Sequence, residues 1–391
     1  MVLRLDPITP NPGGTIHPDM VLGRDETIAG YWNILEQRSI ALLAPRRLGK
    51  TSVCRRMVRY PRAGMVVRYR DLEGFEHPVD LARALLDDGD AMFERDVVWA
   101  QRARRYAERV LGTVEIKEVL TVRLAEQDWK ALLDELLADL QEWAVRERKV
   151  VVLFWDEFTL FLYDLVKRDQ GFAAMTLLDR LRAARQQHPR LRMVFTGSIG
   201  LAEVLRSLAE RGYANDPVND MAKEVLPLMA PAAAGELASR LLAGTVRDEA
   251  ERTHLAAHVA GIAQGHPFLI QHVADRLRLV ARPDAAAADA ALEGLIDAEG
   301  DPLELGHYLS RLGLYLDEAE HRVALAVLDR LAVSRQGLGV DELVDATGAD
   351  RELLLGLLTS LRKDLYLTRT EGRFSFRLDF LRRWWRQERA L

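Results

Sequence analysis

The sequence predicts an α/β protein in which a parallel sheet carries helices on both faces, followed by an α-helical domain and a winged helix-turn-helix domain. Up to about residue 230, short apolar strands alternate with amphipathic helices, an alternation typical of a parallel sheet covered on both faces. Strand signals then stop and helical segments follow. Near the C-terminus, three helices precede two short strands, which is the order of a winged helix-turn-helix.

The elements follow the chain in that order. We predict strands at 39–44, 64–75, 150–158 and 191–198, and helices at 25–37, 50–60, 77–88, 128–149 and 173–187. The charged stretch at 88–125 is interpreted as a helical insertion or lid. In the C-terminal part we predict a helix at 349–363 in the recognition position, a hairpin around residues 371 and 372, and a last helix at 379–388. The predicted domains are an irregular segment at 1–20, the sheet domain at 21–230, a helical lid at 231–315 and the winged helix at 316–391.

Length and composition exclude several classes of protein. A chain of 391 residues is too long for one ordinary core, and 49% hydrophobic with 29% charged residues indicates a globular protein. Without an apolar run of ~20 residues or a signal-peptide pattern we expect no membrane segment. The single cysteine, Cys54, excludes an internal disulfide, predicts a packed thiol and favours the cytoplasm. The net charge of −5 argues against a chain-wide nucleic-acid binder and permits a local basic face.

Residues 44–51, APRRLGKT, match the phosphate-loop pattern G-x-x-x-x-G-K-[ST] at all positions but the first, where Ala44 replaces Gly. The match lies between a predicted strand and a predicted helix, where backbone N–H groups cradle an anion. Gly49 then permits close approach, Lys50 reaches the β- and γ-phosphates, and the Thr51 hydroxyl binds Mg²⁺. The alternative is a basic turn in front of a surface helix.

Two further strand ends carry polar groups. The apolar run VVVLFWDEF ends in Asp156, which we expect to hold Mg²⁺ through water, and in Glu157, which we expect to polarise the attacking water. The alternative is a buried strand followed by ordinary surface acids. The strand MVFTGS ends in Thr196 and Ser198, of which one senses the γ-phosphate; we favour Ser198, and a plain strand-to-loop turn stays open. The expected catalytic residues are Glu157, Asp156, Lys50 and Ser198.

The segments PRRLGKTS, VVVLFWDEF, FTGSIGL and GHPFLIQ resemble, in this order, the archaeal-type ATPases of the STAND branch of P-loop NTPases, relatives of the AAA+ and origin-recognition ATPases. The resemblance covers about residues 20–391. It implies a P-loop NTPase fold, ATP and Mg²⁺ as cofactors, and a C-terminal winged helix. VLGRDETI at 21–28 resembles the family's N-terminal box beside the adenine, and Pro267 of the lid segment Gly-His-Pro is expected near the base. The expected nucleotide contacts are Leu22, Gly23, Pro45, Arg46, Arg47, Leu48, Gly49, Lys50, Thr51, Ser52 and Pro267.

The sequence departs from the family at Ala44 and in the lid, where Gly-His-Pro stands in place of the sensing arginine of many AAA+ proteins. The second departure weakens the case for an AAA+ motor. Other side chains keep two interpretations. Arg46 and Arg47 contact phosphate, or pair with a neighbouring subunit or with acids such as Asp71 or Glu73. Arg206 and Arg211 form an arginine finger or a solvated helix face. His266 meets the nucleotide or caps a helix. The histidines show no transition-metal spacing.

We therefore expect an ATP-binding, slowly hydrolysing molecular switch, with the nucleotide between the phosphate-loop domain and the lid, and with the winged helix presenting a partner surface. The alternative is a DNA-binding ATPase of the origin-recognition or transposition-regulator type, loaded by ATP. Residues 362–391 hold nine basic and four acidic side chains, which suits duplex DNA, although the recognition helix is largely aliphatic and suits a protein effector equally well. A scaffold that binds nucleotide without hydrolysis and a homo-oligomer are further alternatives.

Overall fold

The computed structural model describes residues 7–44, 47–92, 129–197 and 201–391. Pro45, Arg46, Ser198 and the predicted insertion beyond residue 92 lie outside these described residues. The chain divides into two compact units. We call Asp25–Leu43 with Lys50–Leu226 the sheet unit, and Met1–Arg24 with Ala44–Gly49 and Pro227–Leu391 the helical unit.

The sheet unit is built on five parallel strands, as the alternation of strands and helices predicts. They are β1 (Ile40–Leu43), β2 (Met65–Asp71), β3 (Val150–Asp156), β4 (Leu191–Gly197) and β5 (Ala222–Val225). Their order across the sheet is β2-β3-β4-β1-β5. β5 is the one described strand without a sequence prediction: it is four residues long at the sheet edge, and its sequence AKEV has no apolar run.

The described helices of this unit are α1 (Asp25–Leu35), α2 (Lys50–Arg59), α3 (Pro78–Met92), α4 (Trp129–Arg146), α5 (Phe158–Lys167), α6 (Gly171–Gln187) and α7 (Leu201–Glu210). α3 continues to Met92, four residues beyond the predicted helix end at residue 88. α5 also differs from the prediction. No helix is predicted there, because its first residues, FTLFL, continue the apolar run of β3 in the sequence.

Burial along the central strands shows that both faces of the sheet are covered. Every residue of β4 is buried, and so is every residue of β3 after Val150. Because successive strand side chains point to opposite faces, continuous burial requires packing on both sides. Phe158 stacks on Phe195 with ring centroids 4.1 Å apart, and Trp155 stacks on Phe195 at 5.7 Å. This aromatic cluster fixes the carboxyl ends of β3 and β4.

The helical unit contains α8 (Pro231–Leu242), α9 (Glu249–Ile262), α10 (Pro267–Leu277), α11 (Ala285–Ile296), α12 (Gly306–Tyr315), α13 (Glu318–Val333), α14 (Val340–Thr347), α15 (Arg351–Lys363), the antiparallel hairpin β6 (Leu367–Thr370) and β7 (Arg373–Phe376), and α16 (Asp379–Glu388). The order of α13 to α16 confirms the predicted three helices, hairpin and last helix. One hydrophobic cluster runs from Met229 to Trp385. Both tryptophans of α16, Trp384 and Trp385, are buried.

Aspartate caps set several helix starts in this unit. Asp248, Asp284, Asp317 and Asp350 each accept a backbone N–H from the first turn of the helix that follows. Such caps satisfy donors that the helix itself leaves unpaired. None of the described helices has the length and apolar character required to span a membrane.

Candidate nucleotide site

The carboxylate of Asp156 is the centre of the candidate site in the sheet unit. It lies at the end of β3 and is 2% exposed. Oδ2 accepts hydrogen bonds from the Thr51 hydroxyl and the Tyr69 hydroxyl, both at 2.7 Å. Oδ1 accepts from the Thr196 hydroxyl and, at 3.2 Å, from the Glu157 backbone N–H. A carboxylate offers about four lone-pair positions, so these four donors saturate it.

Lys50 and Thr51 reach this site because α2 begins at Lys50, directly after the loop. The Lys50 side chain is buried, and its ammonium donates to the carbonyl oxygen of Gly197 at the end of β4. Gly49 adopts φ 93°, which a side chain disfavours. The N–H groups in the first turn of a helix have no intrahelical acceptor, so the start of α2, which includes Ser52, suits an anion. The predicted strand and helix on either side of the motif are thus present.

Glu157 joins β3 to α5 without an intervening loop. It is the N-cap residue of α5 and adopts φ 53°, a left-handed conformation that is unusual for a residue other than glycine. Its side chain is half-buried. A glutamate in this strained backbone conformation is expected where its side chain has a role in function.

The third polar group of the site is Thr196 of β4. Sequence reasoning left Thr196 and Ser198 open and favoured Ser198, which lies outside the described residues. Thr196 is buried, and its hydroxyl donates to Asp156. A Cβ at the next residue, Gly197, would overlap the Thr159 hydroxyl, so this strand end requires glycine.

Tyr69 is a member of the site that sequence reasoning missed. It lies on β2, which neighbours β3 in the sheet, and the strand register, not the local sequence, brings it to Asp156. Burial, and secondarily the negative charge of Asp156, raises the pKa of the Tyr69 phenol well above its ordinary value. The phenol therefore stays a hydrogen-bond donor to Asp156 throughout the physiological pH range.

Cys54 on α2 is fully buried, as the sequence predicts for a packed thiol. Burial raises the pKa of the thiol well above its ordinary value, and Asp156 contributes in the same direction. The thiolate is the reactive form of cysteine. Cys54 is therefore a structural side chain.

The donor set around Asp156 fits Mg²⁺. No group of three or more His, Cys, Asp and Glu side chains among the described residues could hold a metal ion alone. Magnesium does not require one, because it is often held by one or two protein oxygens, by waters and by substrate phosphates. The Thr51 hydroxyl and the Asp156 carboxylate, 2.7 Å apart, are oxygen ligands of this kind. Thr51 would hold the ion directly and Asp156 through one of its waters.

In the helical unit, Leu22 and Gly23 are tied to the phosphate loop through Arg24. Gly23 has φ 62°, and a Cβ there would overlap the Cβ of Ala233. The buried Arg24 donates to the carbonyl oxygens of Pro227 at 2.7 Å and of Leu48 at 3.3 Å. Arg24 is a second residue that sequence reasoning missed. The feature that could have identified it is a charged residue between the apolar pair Val21-Leu22 and the helix-starting Asp25.

The lid segment places His266 at the N-cap of α10 and Pro267 at its first position. His266 thus occupies the capping position that one interpretation of the sequence gives it, although its side chain makes no capping hydrogen bond. The ring is fully buried and packs edge-on against Phe380 at 5.5 Å. Burial, with the charge of Arg24 as a smaller cause, lowers the pKa of His266 to about 4. The ring is therefore neutral at pH 7.

Two of the arginines singled out by the sequence pair with acids. Arg47 donates to Glu304, at 3.0 Å through Nε and also through Nη2. Its partner in this unit is therefore a distant acid, not Asp71 or Glu73. Arg211 donates to Asp169 at 3.1 Å with a side chain that is 44% exposed, as expected for a solvated surface.

Comparisons with known proteins connect this architecture to solved ATPases. Neither the protein-family models nor the curated proteins contain a match to this sequence. Among solved structures, the chain is similar to a Walker-type ATPase of Pyrococcus abyssi, with a TM-score of 0.61, 15% identity, and coverage of 99% of this chain and 100% of that one. It is also similar to the ORC2 protein of Aeropyrum pernix with ADPNP and ADP, with a TM-score of 0.50, 11% identity, and coverage of 94% and 95%. At such identities the likeness concerns the fold, and the predicted P-loop NTPase fold class is confirmed.

Proposed function

We propose that the protein binds ATP with Mg²⁺, hydrolyses it slowly and acts as a molecular switch. The observation that carries this proposal is the meeting of Lys50, Thr51, Asp156 and Glu157 at the carboxyl ends of β3 and β4. In open parallel sheets, ligands bind outside the carboxyl ends of the strands. A cation, a hydroxyl and two acids at that edge are the groups that phosphoryl transfer to water requires.

Each side chain then has a role. The Lys50 ammonium neutralises the β- and γ-phosphates, and Gly49 lets the backbone approach them. Thr51 and Asp156 hold Mg²⁺, which when bound neutralises phosphate charge and fixes its orientation. Glu157, which joins the end of β3 to α5 beside Asp156, is the side chain that we assign to accept the proton of the attacking water. Thr196 positions Asp156.

The switch follows from what the phosphate loop already contacts. Arg24 holds the carbonyl of Leu48, and Glu304 holds the side chain of Arg47. Both contacts join loop residues to other parts of the helical unit. A rearrangement of the loop around a triphosphate would therefore change contacts elsewhere in the helical unit. That unit carries the expected partner surface on α13 to α16. Membership of the STAND branch stays a prediction.

The nucleotide proposal is tested by two substitutions. Lys50→Ala should abolish MgATP binding, because it removes the charge that meets the phosphates. Glu157→Gln should retain binding and lower hydrolysis by two to four orders of magnitude, on the order of the contribution of a general base. Binding is measured by calorimetry and hydrolysis by phosphate release. Hydrolysis that survives Glu157→Gln would contradict the role of Glu157, and MgATP binding that survives Lys50→Ala would contradict the site.

DNA loading receives less support than the switch. Several arginines of the C-terminal basic region pair within the unit: Arg373 with Glu342 at 3.0 Å, Arg382 with Asp379 at 2.8 Å, and Arg383 with Glu293. A cation that already has an acidic partner gains less from a DNA phosphate. For this reason we favour a protein effector as the partner class, with duplex DNA as the alternative.

A further inference from the structure

Arg47 of the phosphate loop has its whole guanidinium engaged by groups of the helical unit. Nε donates to Oε2 of Glu304 at 3.0 Å, and Nη2 donates to the other oxygen of the same carboxylate. Nη1 donates to the carbonyl oxygen of Gly13 at 3.3 Å. The guanidinium carbon also lies 5.2 Å from the ring centroid of Phe268. The pair is therefore a bidentate carboxylate–guanidinium contact supported from two further directions.

The turn that presents Glu304 is held in place independently of Arg47. The Asp301 carboxylate accepts the backbone N–H groups of Leu305 and Gly306, both at 2.7 Å. Leu303 and Leu305 are buried on either side of Glu304. Arg47 and Glu304 both adopt left-handed backbone, at φ 65° and φ 54°. Both partners adopt an unfavourable backbone conformation. The surrounding structure, and not the local conformational preference of the two residues, therefore holds the contact in place.

A carboxylate and a phosphate use the same edge of an arginine. The planar fork of Nε and Nη2 matches two oxygens of either group. A phosphate bound in the loop would therefore find this edge of Arg47 taken by Glu304. Both side chains are 36% exposed, so water reaches the pair and it can open.

We propose that Glu304 and nucleotide phosphate compete for Arg47, so that the Arg47–Glu304 pair is a charge gate on nucleotide binding. This inference rests on the proposed nucleotide site. Without nucleotide, Glu304 neutralises Arg47. A triphosphate supplies the competing oxygens, takes over the guanidinium and separates Glu304 from Arg47, which gives the helical unit a signal that depends on phosphate.

The test is a double-mutant cycle read by calorimetric titration of MgATP. Glu304→Gln keeps the size of the side chain and removes its charge, so it should bind MgATP about three- to fivefold more tightly than wild type, the range of a partly exposed ion pair. Arg47→Gln should bind several-fold more weakly than wild type. The double variant should bind like Arg47→Gln, because the proposed competition acts through the Arg47 guanidinium. Glu304→Asp keeps the charge on a shorter side chain and should fall between wild type and Glu304→Gln.

Asp341→Asn is the matched control, since it breaks the exposed Arg351–Asp341 pair at 2.5 Å and should leave the affinity unchanged. Unaltered or weaker binding by Glu304→Gln, or tightening that persists without Arg47, would overturn the gate. Lys50→Ala run in parallel separates the two proposals. If wild type binds in a Lys50-dependent way and Glu304→Gln binds no more tightly, only the gate fails. If neither wild type nor Glu304→Gln binds, both proposals fail, whereas binding by Glu304→Gln alone supports the gate.

Discussion

At the scale of single residues, Asp156 is defined by the hydroxyls around it. Thr51 and Tyr69 share Oδ2, and Thr196 donates to Oδ1. A Thr51 hydroxyl that held Mg²⁺ through its oxygen would still have its proton to donate to Asp156. Tyr69 is the second side chain that orients Oδ2, and its raised pKa keeps the proton on the phenol. We therefore expect Tyr69 to act as a positioning residue for Asp156 in the proposed Mg²⁺ site.

Tyr69→Phe tests this role. It should raise the Mg²⁺ concentration needed for half-maximal ATP hydrolysis several-fold while ATP binding without Mg²⁺ stays unchanged, and destabilise the fold by about 1 kcal/mol. The matched control is Tyr213→Phe, because the Tyr213 hydroxyl donates to the Asp179 carboxylate at 2.8 Å, outside the site. The control should show a similar loss of stability and a normal Mg²⁺ dependence. An equal shift of the Mg²⁺ dependence in both variants would mean that Tyr69 acts only through stability.

The site residues fall into two groups: those that a short sequence pattern identifies, and those whose partners lie far away in the chain. Lys50, Thr51, Asp156 and Glu157 belong to short patterns tied to strand ends, which is why sequence reasoning finds them. Tyr69, Arg24 and Glu304 do not, because their roles depend on strand order and on a turn 257 residues from Arg47. No local spacing encodes those partners.

At the scale of elements, the junction between β3 and α5 explains both a missed helix and a strained residue. The charged residues of α5, Asp164 and Lys167, both lie in its second half, so in the sequence its first turn continues the apolar run of β3. α5 starts at Phe158, so Glu157 is the single residue between it and Asp156 and turns the chain at φ 53°. The strand was predicted because its apolar run is long, whereas the helix merges with that run in the sequence.

Glu157→Gly tests whether this junction holds strain for the sake of the carboxylate. Glycine adopts left-handed backbone without steric penalty, so we expect the free energy of unfolding to rise by about 0.5–1 kcal/mol, with hydrolysis lost. Glu157→Gln keeps the Cβ and should leave stability unchanged. Urea unfolding of both variants measures the difference. A clear loss of stability in Glu157→Gly would indicate that the Glu157 side chain supports the fold more than its backbone strains it.

At the scale of the whole molecule, the order of elements was predictable and the division into units was not. Helix starts at Asp248, Asp284, Asp317 and Asp350 are visible in the sequence as capping residues, and the hairpin is marked by residues 371 and 372. The grouping of the phosphate loop Ala44–Gly49 with Pro227–Leu391 depends on contacts such as Arg24 to Leu48. Those contacts join residues far apart in the chain, so the local hydrophobic periodicity of the sequence does not predict them.

His266 makes the stability of the helical unit depend on pH. Its folded pKa is about 4, lowered chiefly by burial and secondarily by Arg24, and its unfolded pKa is about 6.5. Between these values the unfolded chain binds a proton that the folded chain does not. This contribution to stability is therefore complete above about pH 6.5 and is lost as pH falls towards 4, by on the order of 3 kcal/mol.

The prediction is checked by urea unfolding of wild type and His266→Gln from pH 7.5 to pH 4. Glutamine does not titrate, so the variant should lose less stability on acidification, and the two curves should converge towards the acid end. His272 and His188 also have lowered pKa values because they are partly buried, and both are present in the two proteins, so the difference between the curves isolates His266. His254→Gln on the exposed side of α9 is the control and should retain the wild-type slope. Parallel curves for wild type and His266→Gln would show that the imidazole accepts a proton in the folded state. They would contradict the conclusion that His266 is neutral and buried in the folded lid.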